Sequence, residues 1–460
     1  MRTTTSPDRS REAKPATGGK QQVAIVAYPG CSLLELVGAQ TVWGAAAITS
    51  SLQPVVVGPT TDSILSSTPL NFSPQKTFQE VPDPDVLFVV GGDRAATVGE
   101  DSDLLDYLRS ATKNASIIAS TGTGSLILGA AGLLEGRKAT TNWAFRDRLE
   151  ATGVAYQQAS WVEDGRYFTG AGSSSALDLS LFLIARLRSE RLARRAQIIV
   201  EWDPAPPFGP LDWSRLEIGA EQTQDGEGHG PSRRIALLIY PGLTVLDLIG
   251  PLEVLTTFSR LRPEYEPVVV AEELAPITSD SGLTFYPNQS FADVPAPDIL
   301  IVPGGGLPTL RAMSHQPIRD YLRRAASSSA YTVSVCTGAL LLASVGLLEG
   351  RDATTHWAYR SYLGSFGARY IQRRWVSSQG VINSAGVSAG IDMALFLVSQ
   401  LADERTARQV QQALHYDPDP PFGGIDYDRL PPLMWAMRTV MTLTSPFYTR
   451  RPRRLLRAGI

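Results

Sequence analysis

The chain has 460 residues, 43% of them apolar and 19% charged, and its net charge of −3 gives no electrostatic reason to bind nucleic acid. Its two cysteines exclude a disulfide framework and indicate a reducing compartment, the cytoplasm; with only four histidines and no ligand spacing, we expect no metal and no other cofactor. Because no stretch approaches the ~18 apolar residues of a membrane span, and the first twenty residues lack a signal-peptide pattern, we expect no membrane contact.

Composition and turn signals divide the chain into five segments. In two of them apolar, β-branched strands alternate with helical spacing, which predicts an α/β fold: two tandem flavodoxin-like three-layer sandwiches with mostly parallel sheets. The stretch between them is rich in Gln, Glu and Gly and predicts a linker. In chain order the predicted segments are a disordered tail at 1–20, a first domain at 21–216, a linker at 217–233, a second domain at 234–430 and a helical, basic tail at 431–460.

The predicted elements follow the same order in both domains. The first domain has predicted strands at 22–28, 55–58 and 86–90 and a helix at 103–112. The second domain has predicted strands at 235–240, 267–271, 299–302 and 331–335, and helices at 245–259, 318–327 and 391–404. One amphipathic helix is predicted in the tail, at 431–443.

The two domains are copies of one another. Residues 346–357 repeat residues 132–143, and residues 417–423 repeat residues 203–209. Both separations are 214 positions (357 − 143 and 423 − 209). A repeat of this length is a duplicated domain rather than a solenoid unit.

Cys336 is the most informative residue of the chain. It follows the predicted strand 331–335 directly and precedes Thr337-Gly338 and an apolar helix. A cysteine at such a turn projects from the carboxyl end of a parallel strand toward a helix N-terminus, where the helix dipole favours thiolate over thiol. We therefore expect a nucleophile at this position.

The first domain has no thiol at the corresponding turn, because Gly122 stands 214 positions before Cys336. We therefore predict that the second half is catalytic and that the first is structural or ligand-binding. Cys31 is not at the turn and is not expected to act in catalysis. The predicted degenerate site comprises Glu35, Gly122, Thr123 and Asn142, which correspond to Asp247, Cys336, Thr337 and His356.

These motifs resemble the ThiJ/PfpI superfamily, with its glutamine-amidotransferase-like fold, over nearly all of both halves. Within it, the second half is most similar to the isonitrile hydratases, since Thr337 follows the cysteine where many other members carry His. The runs that carry the resemblance are 246–251 (LDLIGP), 301–305 (IVPGG), 334–338 (SVCTG), 346–350 (GLLEG), 353–358 (ATTHWA) and 389–392 (AGID).

The resemblance implies hydration of an isonitrile, R–N≡C, to an N-substituted formamide. Cys336 would attack the terminal carbon to give a thioimidate, Asp247 would supply the proton, and Thr337 would orient the water. The backbone N–H groups of Thr337 and Gly305 would stabilise developing negative charge. The predicted binding or oxyanion residues are Gly305, Gly306, His356 and Trp357.

The predicted partner is a small-molecule substrate. Members of the superfamily commonly form homodimers, so the two halves are expected to pair within the chain as a pseudo-dimer. Two other functions stay open: a glyoxalase- or deglycase-like activity on reactive carbonyls, and a non-catalytic redox or ligand sensor that uses an oxidisable Cys336. A binding-only pocket in the first half also stays open.

Overall fold

The computed structural model describes residues 19–95, 97, 101–213 and 232–459. Most of the expected N-terminal tail (1–18) and of the expected linker (217–231) therefore lies outside the described residues.

Each half contains one seven-stranded sheet in which all neighbours but one edge pair are parallel. The first sheet has the order β4-β2-β1-β5-β6-β10-β9. Its strands are β1 (Gln21–Val26), β2 (Leu52–Gly58), β4 (Lys76–Thr77), β5 (Val86–Val89), β6 (Ile117–Ser120), β9 (Trp161–Asp164) and β10 (Tyr167–Gly170). The helices of this half are α1 (Leu33–Ala47), α2 (Ser102–Ala111), α3 (Gly124–Ala130), α4 (Arg146–Glu150), α5 (Ser175–Leu187) and α6 (Glu190–Ile199). Three short strands complete it: β3 (Asn71–Ser73), β7 (Lys138–Ala139) and β8 (Ala155–Tyr156).

The second half repeats this arrangement, with the sheet order β15-β12-β11-β16-β17-β21-β20. Its strands are β11 (Arg233–Leu238), β12 (Tyr265–Ala271), β15 (Gln289–Ser290), β16 (Ile299–Val302), β17 (Tyr331–Val335), β20 (Trp375–Ser378) and β21 (Val381–Ser384). Its helices are α7 (Val245–Leu261), α8 (Leu307–Ala312), α9 (Gln316–Ser328), α10 (Gly338–Ser344), α11 (Arg360–Gly364), α12 (Val387–Leu401), α13 (Glu404–Ala413) and α14 (Pro432–Arg457). The short strands are β13 (Ile277–Thr278), β14 (Thr284–Tyr286), β18 (Asp352–Ala353) and β19 (Arg369–Tyr370).

The central strands are buried on both faces, which confirms the expected α/β sandwiches. Every residue of β5 and of β16 is buried, so helices must cover both faces of each sheet. In the order along each sheet, the strands that precede the predicted turn (β6 and β17) lie next to these two strands. The carboxyl ends of β16 and β17 thus meet at one edge and place their following loops together.

The two halves pack against each other with approximate two-fold symmetry, as a pseudo-dimer. Strands β3 and β14 pair across the boundary, with Phe72 opposite Phe285. The buried Asp178 accepts a hydrogen bond from the backbone N–H of Asp419, and its counterpart Asp392 accepts one from the backbone N–H of Ala205. Each half therefore supplies the same kind of contact to the other, as a two-fold interface requires.

Two predicted helices have different bounds. The helix predicted at 391–404 begins at Val387 and ends at Leu401, because Asp403 caps a separate helix, α13. The helix predicted at 431–443 continues to Arg457 through two prolines, and Thr444 on it lies 3.2 Å from the hydroxyl of Tyr362 on α11. Packing on the second domain thus extends this helix. No helix in the described part of the chain combines the length and apolar character needed to cross a membrane.

Candidate active site

Cys336 lies at a strained turn between β17 and α10. Its φ angle is +55°, which costs a non-glycine residue roughly 1–2 kcal/mol, and Gly122 adopts φ +50° at the same point of the first half. The Thr355 hydroxyl holds the turn by donating to the Cys336 carbonyl at 2.9 Å. The Cys336 side chain is 6% exposed. The fold thus maintains an unfavourable backbone conformation at the one cysteine that follows a central strand.

Asp247 enters the site from the first turn of α7 and is fully buried. Its Oδ2 accepts a hydrogen bond of 3.2 Å from the backbone N–H of Gly304, whereas Oδ1 has no such partner among the described residues. Burial, and secondarily the carboxylate of Asp280, raise the pKa of Asp247 to about 8, although the Cys336 thiol and the Gly304 N–H act in the opposite direction. Asp247 is therefore protonated at neutral pH and can act as an acid.

The surroundings of Cys336 oppose the expected resting thiolate. Burial raises the pKa of the Cys336 thiol well above its ordinary value, and the carboxyls of Asp247 and Glu201 raise it further. The backbone N–H of Thr337 favours the thiolate but does not outweigh them. Position at a helix N-terminus is thus overridden by desolvation and by neighbouring acids.

Thr337 holds a loop instead of facing the site with a free hydroxyl. Its Oγ1 accepts hydrogen bonds from the backbone N–H groups of Gly305 (3.0 Å) and Gly306 (3.2 Å), and lies 3.0 Å from the hydroxyl of Thr309. Both glycine N–H groups are used in this way, so the oxyanion role of Gly305 and Gly306 and the water-orienting role of the Thr337 hydroxyl stay predictions that require these contacts to change. Sequence spacing does not contain these side-chain contacts.

His356 begins the 3₁₀ turn 357–359, where its Nδ1 accepts a hydrogen bond from the backbone N–H of Ala358 at 3.1 Å. Burial lowers the pKa of His356 to about 4, so the ring is neutral and carries its proton on Nε2. That Nε2 lies 3.6 Å from Oε1 of Glu201. Trp357 is half-buried beside the ring, with 5.3 Å between ring centroids.

Glu201 is a site residue that sequence reasoning missed. It belongs to the first half, so no motif of the second half indicates it. The available signal was its place just before the repeated motif at 203–209, where the other copy has His415.

In the corresponding site of the first half, Glu35 lies where a side chain at position 122 would be, and we call this the closed site. Glu35 Oε2 accepts hydrogen bonds from the Thr121 hydroxyl (2.7 Å) and the Gly91 N–H (2.6 Å). The hydroxyl of Thr123 accepts from Gly92 N–H at 2.9 Å and also donates to the Gly92 carbonyl. The side chain of Asn142 accepts a hydrogen bond from the backbone N–H of Ala144 at 3.1 Å, as His356 does from Ala358.

The other cysteine is part of the core. Cys31 is fully buried, and burial is the main cause that raises its pKa to about 12. Both cysteines are free thiols. Across the described ranges, no group of three or more His, Cys, Asp or Glu side chains is arranged to hold a metal ion.

Comparison with known proteins matches this chain to one family. The model of the DJ-1/PfpI family matches residues 21–186 and 233–400. Isonitrile hydratase of Pseudomonas putida is 39% identical over 199 residues, which cover 43% of this chain and 85% of that protein. The HTH-type transcriptional regulator CdhR of Pseudomonas aeruginosa is 28% identical over 178 residues, or 38% of this chain and 52% of that protein.

Among solved structures, a ThiJ/PfpI family protein from Pseudomonas syringae is 33% identical, with a TM-score of 0.44; the match covers 53% of this chain and 97% of that one. The family model thus accounts for most of both halves separately, at the two positions where the repeat analysis places a domain. The chain belongs to the DJ-1/PfpI family and contains two copies of the family domain in tandem.

Proposed function

We propose that the second half hydrates an isonitrile to an N-substituted formamide through a thioimidate on Cys336. The observation that carries the proposal is the pairing of Cys336 at the strained turn with the buried Asp247, whose side chain interacts with the thiol and whose Oδ2 is held by Gly304. The 39% identity to the Pseudomonas putida isonitrile hydratase supports the choice of substrate class.

The first step requires a proton and a nucleophile at the same carbon. Asp247 gives its proton to the terminal carbon of R–N≡C, which makes that carbon electrophilic, and the sulfur of Cys336 bonds to it. The thiol proton passes to the Asp247 carboxylate as the S–C bond forms. The product is Cys336–S–CH=N–R, and Asp247 is protonated again.

The second step consumes one water. The water oxygen bonds to the thioimidate carbon and a proton goes to the nitrogen, giving Cys336–S–CH(OH)–NH–R. The C–S bond then breaks, the hydroxyl proton passes to the sulfur, and HC(O)–NH–R leaves. The site residues recover their starting protonation states, so no cofactor is consumed.

The protonation of Cys336 favours this function over a redox sensor. A sensor cysteine is an exposed thiolate, because peroxide reacts with the thiolate form. Cys336 is 6% exposed and its pKa is raised by burial and by two carboxyls. Addition of a neutral thiol to the isonitrile carbon does not require an exposed thiolate when a neighbouring acid protonates that carbon. Two free thiols also accord with a cytoplasmic location.

A product assay tests the proposal. The full chain is incubated in parallel with cyclohexyl isocyanide and with methylglyoxal, and the formamide or the carbonyl-derived acid is quantified by chromatography. Turnover of the isocyanide alone is expected. Turnover of methylglyoxal without formation of the formamide would reject the proposal in favour of a carbonyl-directed enzyme.

A further inference from the structure

Glu201 is carried by the first half but lies in the site of the second half. It follows α6 at φ +49°, a conformation that disfavours a side chain, and is 5% exposed. The Ser388 hydroxyl at the start of α12 donates to the Glu201 carbonyl at 2.8 Å and accepts from the backbone N–H of Asp203 at 3.1 Å. The packing of the two halves therefore fixes the position of Glu201.

The carboxyl of Glu201 lies beside His356 and against Gly386. Its Oε1 lies 3.6 Å from Nε2 of the neutral His356, and its Oε2 has no hydrogen-bond partner in the described part of the chain. A Cβ at Gly386 would lie 1.8 Å from Oε2, so a glycine there makes room for the carboxyl. Glu201 also acts electrostatically on Cys336, as does Asp247.

The protonation state of Glu201 follows from its surroundings. Burial raises its pKa well above the ordinary value, and so does the carboxyl of Asp247; Arg374 lowers it and Asp203 raises it. Its surroundings thus favour the protonated form of the carboxyl, and its Oε2 has no hydrogen-bond partner among the described residues. A neutral carboxylic acid can give a proton from one oxygen and take one with the other.

The opposite half shows the same insertion with a different side chain. His415 follows α13 at φ +50° and is 4% exposed. It lies against Gly172 of the first half: a Cβ added at Gly172 would lie 2.4 Å from the Cβ of His415. The duplicated fold therefore places one residue of each half against the corresponding glycine of the other half, Glu201 against Gly386 and His415 against Gly172. The half with the thiol receives a carboxyl, and the half without it receives an imidazole.

We propose that Glu201 relays the proton that accompanies water addition to the thioimidate on Cys336, so that the active site is complete only when the two halves are paired. This inference rests on the proposed function. Glu201 gives its proton to the imine nitrogen as the water oxygen bonds to the carbon, and its other oxygen takes the proton that the water loses. One proton leaves the carboxyl and one arrives, so Glu201 recovers its starting protonation state at the end of the step.

The test compares Glu201→Gln with the unchanged full chain, with cyclohexyl isocyanide as the probe, by rapid quench and intact-protein mass spectrometry. The amide keeps the size of the side chain but cannot relay a proton. Turnover should fall by about 100-fold or more, the lower range for loss of an acid–base group. Because attack by sulfur is left intact, the variant should accumulate the mass of one isocyanide on Cys336, which the unchanged chain does not retain.

Glu253→Gln is the matched control. Glu253 is a second buried glutamate at the interface between the halves, where its Oε1 accepts hydrogen bonds from the hydroxyls of Ser32 (3.3 Å) and Ser67 (3.0 Å). It should turn over substrate without accumulating the adduct. If Glu201→Gln does not fold, Gly386→Ala takes its place, because its methyl group displaces the Glu201 carboxyl and should produce the same accumulation.

The outcomes separate this inference from the proposed function. Turnover by Glu201→Gln at the rate of the unchanged chain overturns the relay and leaves the hydratase intact. Loss of both turnover and adduct in the variant overturns it too, because the defect would then precede the thioimidate. Failure of the unchanged chain to give either formamide or adduct rejects the proposed function itself.

Discussion

The carboxyl of Glu35 occupies the space that a side chain at Gly122 would need. A Cβ at Gly122 would lie 2.3 Å from Glu35 Oε1. In the second half the corresponding residues are Cys336 and Asp247, and the Asp247 side chain is one methylene shorter than that of Glu35. The first half thus combines loss of the thiol with a longer acid that fills the vacated space, and the Thr121 hydroxyl holds that acid in place.

We predict that the effects of substituting these two positions are coupled. Gly122→Cys alone should destabilise the protein by roughly 1–3 kcal/mol through overpacking against Glu35. Adding Glu35→Asp should recover part of this loss, with a coupling energy of about 0.5–3 kcal/mol in a double-mutant cycle of urea unfolding. Strictly additive changes would show that the two side chains do not compete for the same space.

Asp247→Asn should abolish most activity, because the amide keeps the shape but cannot donate the proton that the isonitrile carbon needs. We expect a loss of about 10²-fold or more in kcat/KM for cyclohexyl isocyanide. Glu35→Gln makes the same change in the closed site and should leave kcat/KM nearly unchanged. Equal losses in the two variants would contradict the assignment of the acid to the second half.

The pH dependence of activity should follow the protonated form of Asp247. Since its pKa is raised to about 8, kcat/KM should be retained at neutral pH and decline as the pH rises above about 8. An increase in kcat/KM across that range would indicate that a deprotonated group does the chemistry instead.

The pH dependence of the protein's stability should also report the titration of Asp247. The folded state holds a proton on Asp247 between the ordinary value of 3.8 and about 8, where the unfolded chain has released it. The contribution of this proton to the free energy of unfolding is therefore complete below pH 3.8 and is lost as the pH rises through about 8. Between pH 6 and 9, thermal unfolding should show a smaller decrease in Tm for Asp247→Asn than for the unchanged chain. Identical decreases would contradict the raised pKa.

Thr337→Val should impair both stability and activity. It leaves the Gly305 and Gly306 N–H groups without their acceptor, at a cost of about 1–3 kcal/mol for a buried group, and loosens the loop whose Gly304 N–H binds Asp247. Thr337→Ser keeps the acceptor and should retain activity.

Thr123→Val is the matched control for this loop, because Thr123 accepts from Gly92 N–H in the closed site. It should lower Tm to a similar extent and leave kcat unchanged. A loss of activity in Thr123→Val as large as in Thr337→Val would mean that Thr337 acts only through overall stability.

The sequence predicted the elements that carry the site, because their signals are local. The apolar runs at 299–302 and 331–335 are strands, and the cysteine between strand and helix lies at the strained turn. Asp247 reaches the same place because α7 follows the adjacent strand β11. Repeat comparison also placed Gly122 at the same turn as Cys336, and both residues have a positive φ there.

The rest depends on contacts that no local pattern contains. The raised pKa of Cys336 follows from burial and from two acids brought in by separate elements. The use of Gly305 N–H by Thr337 depends on backbone geometry at a single turn. Glu201 reaches the site only through the pairing of the two halves, so spacing within either domain cannot reveal it.

The central claim is that the sulfur of Cys336 bonds to the isonitrile carbon. The full chain is incubated with cyclohexyl isocyanide labelled with ¹³C at its terminal carbon, alongside Cys336→Ala and Cys31→Ala, and the product is followed by ¹³C NMR. The unchanged chain and Cys31→Ala should give labelled N-cyclohexylformamide, whereas Cys336→Ala should give none above the uncatalysed rate. Formation of the formamide by Cys336→Ala at the rate of the unchanged chain would contradict the account.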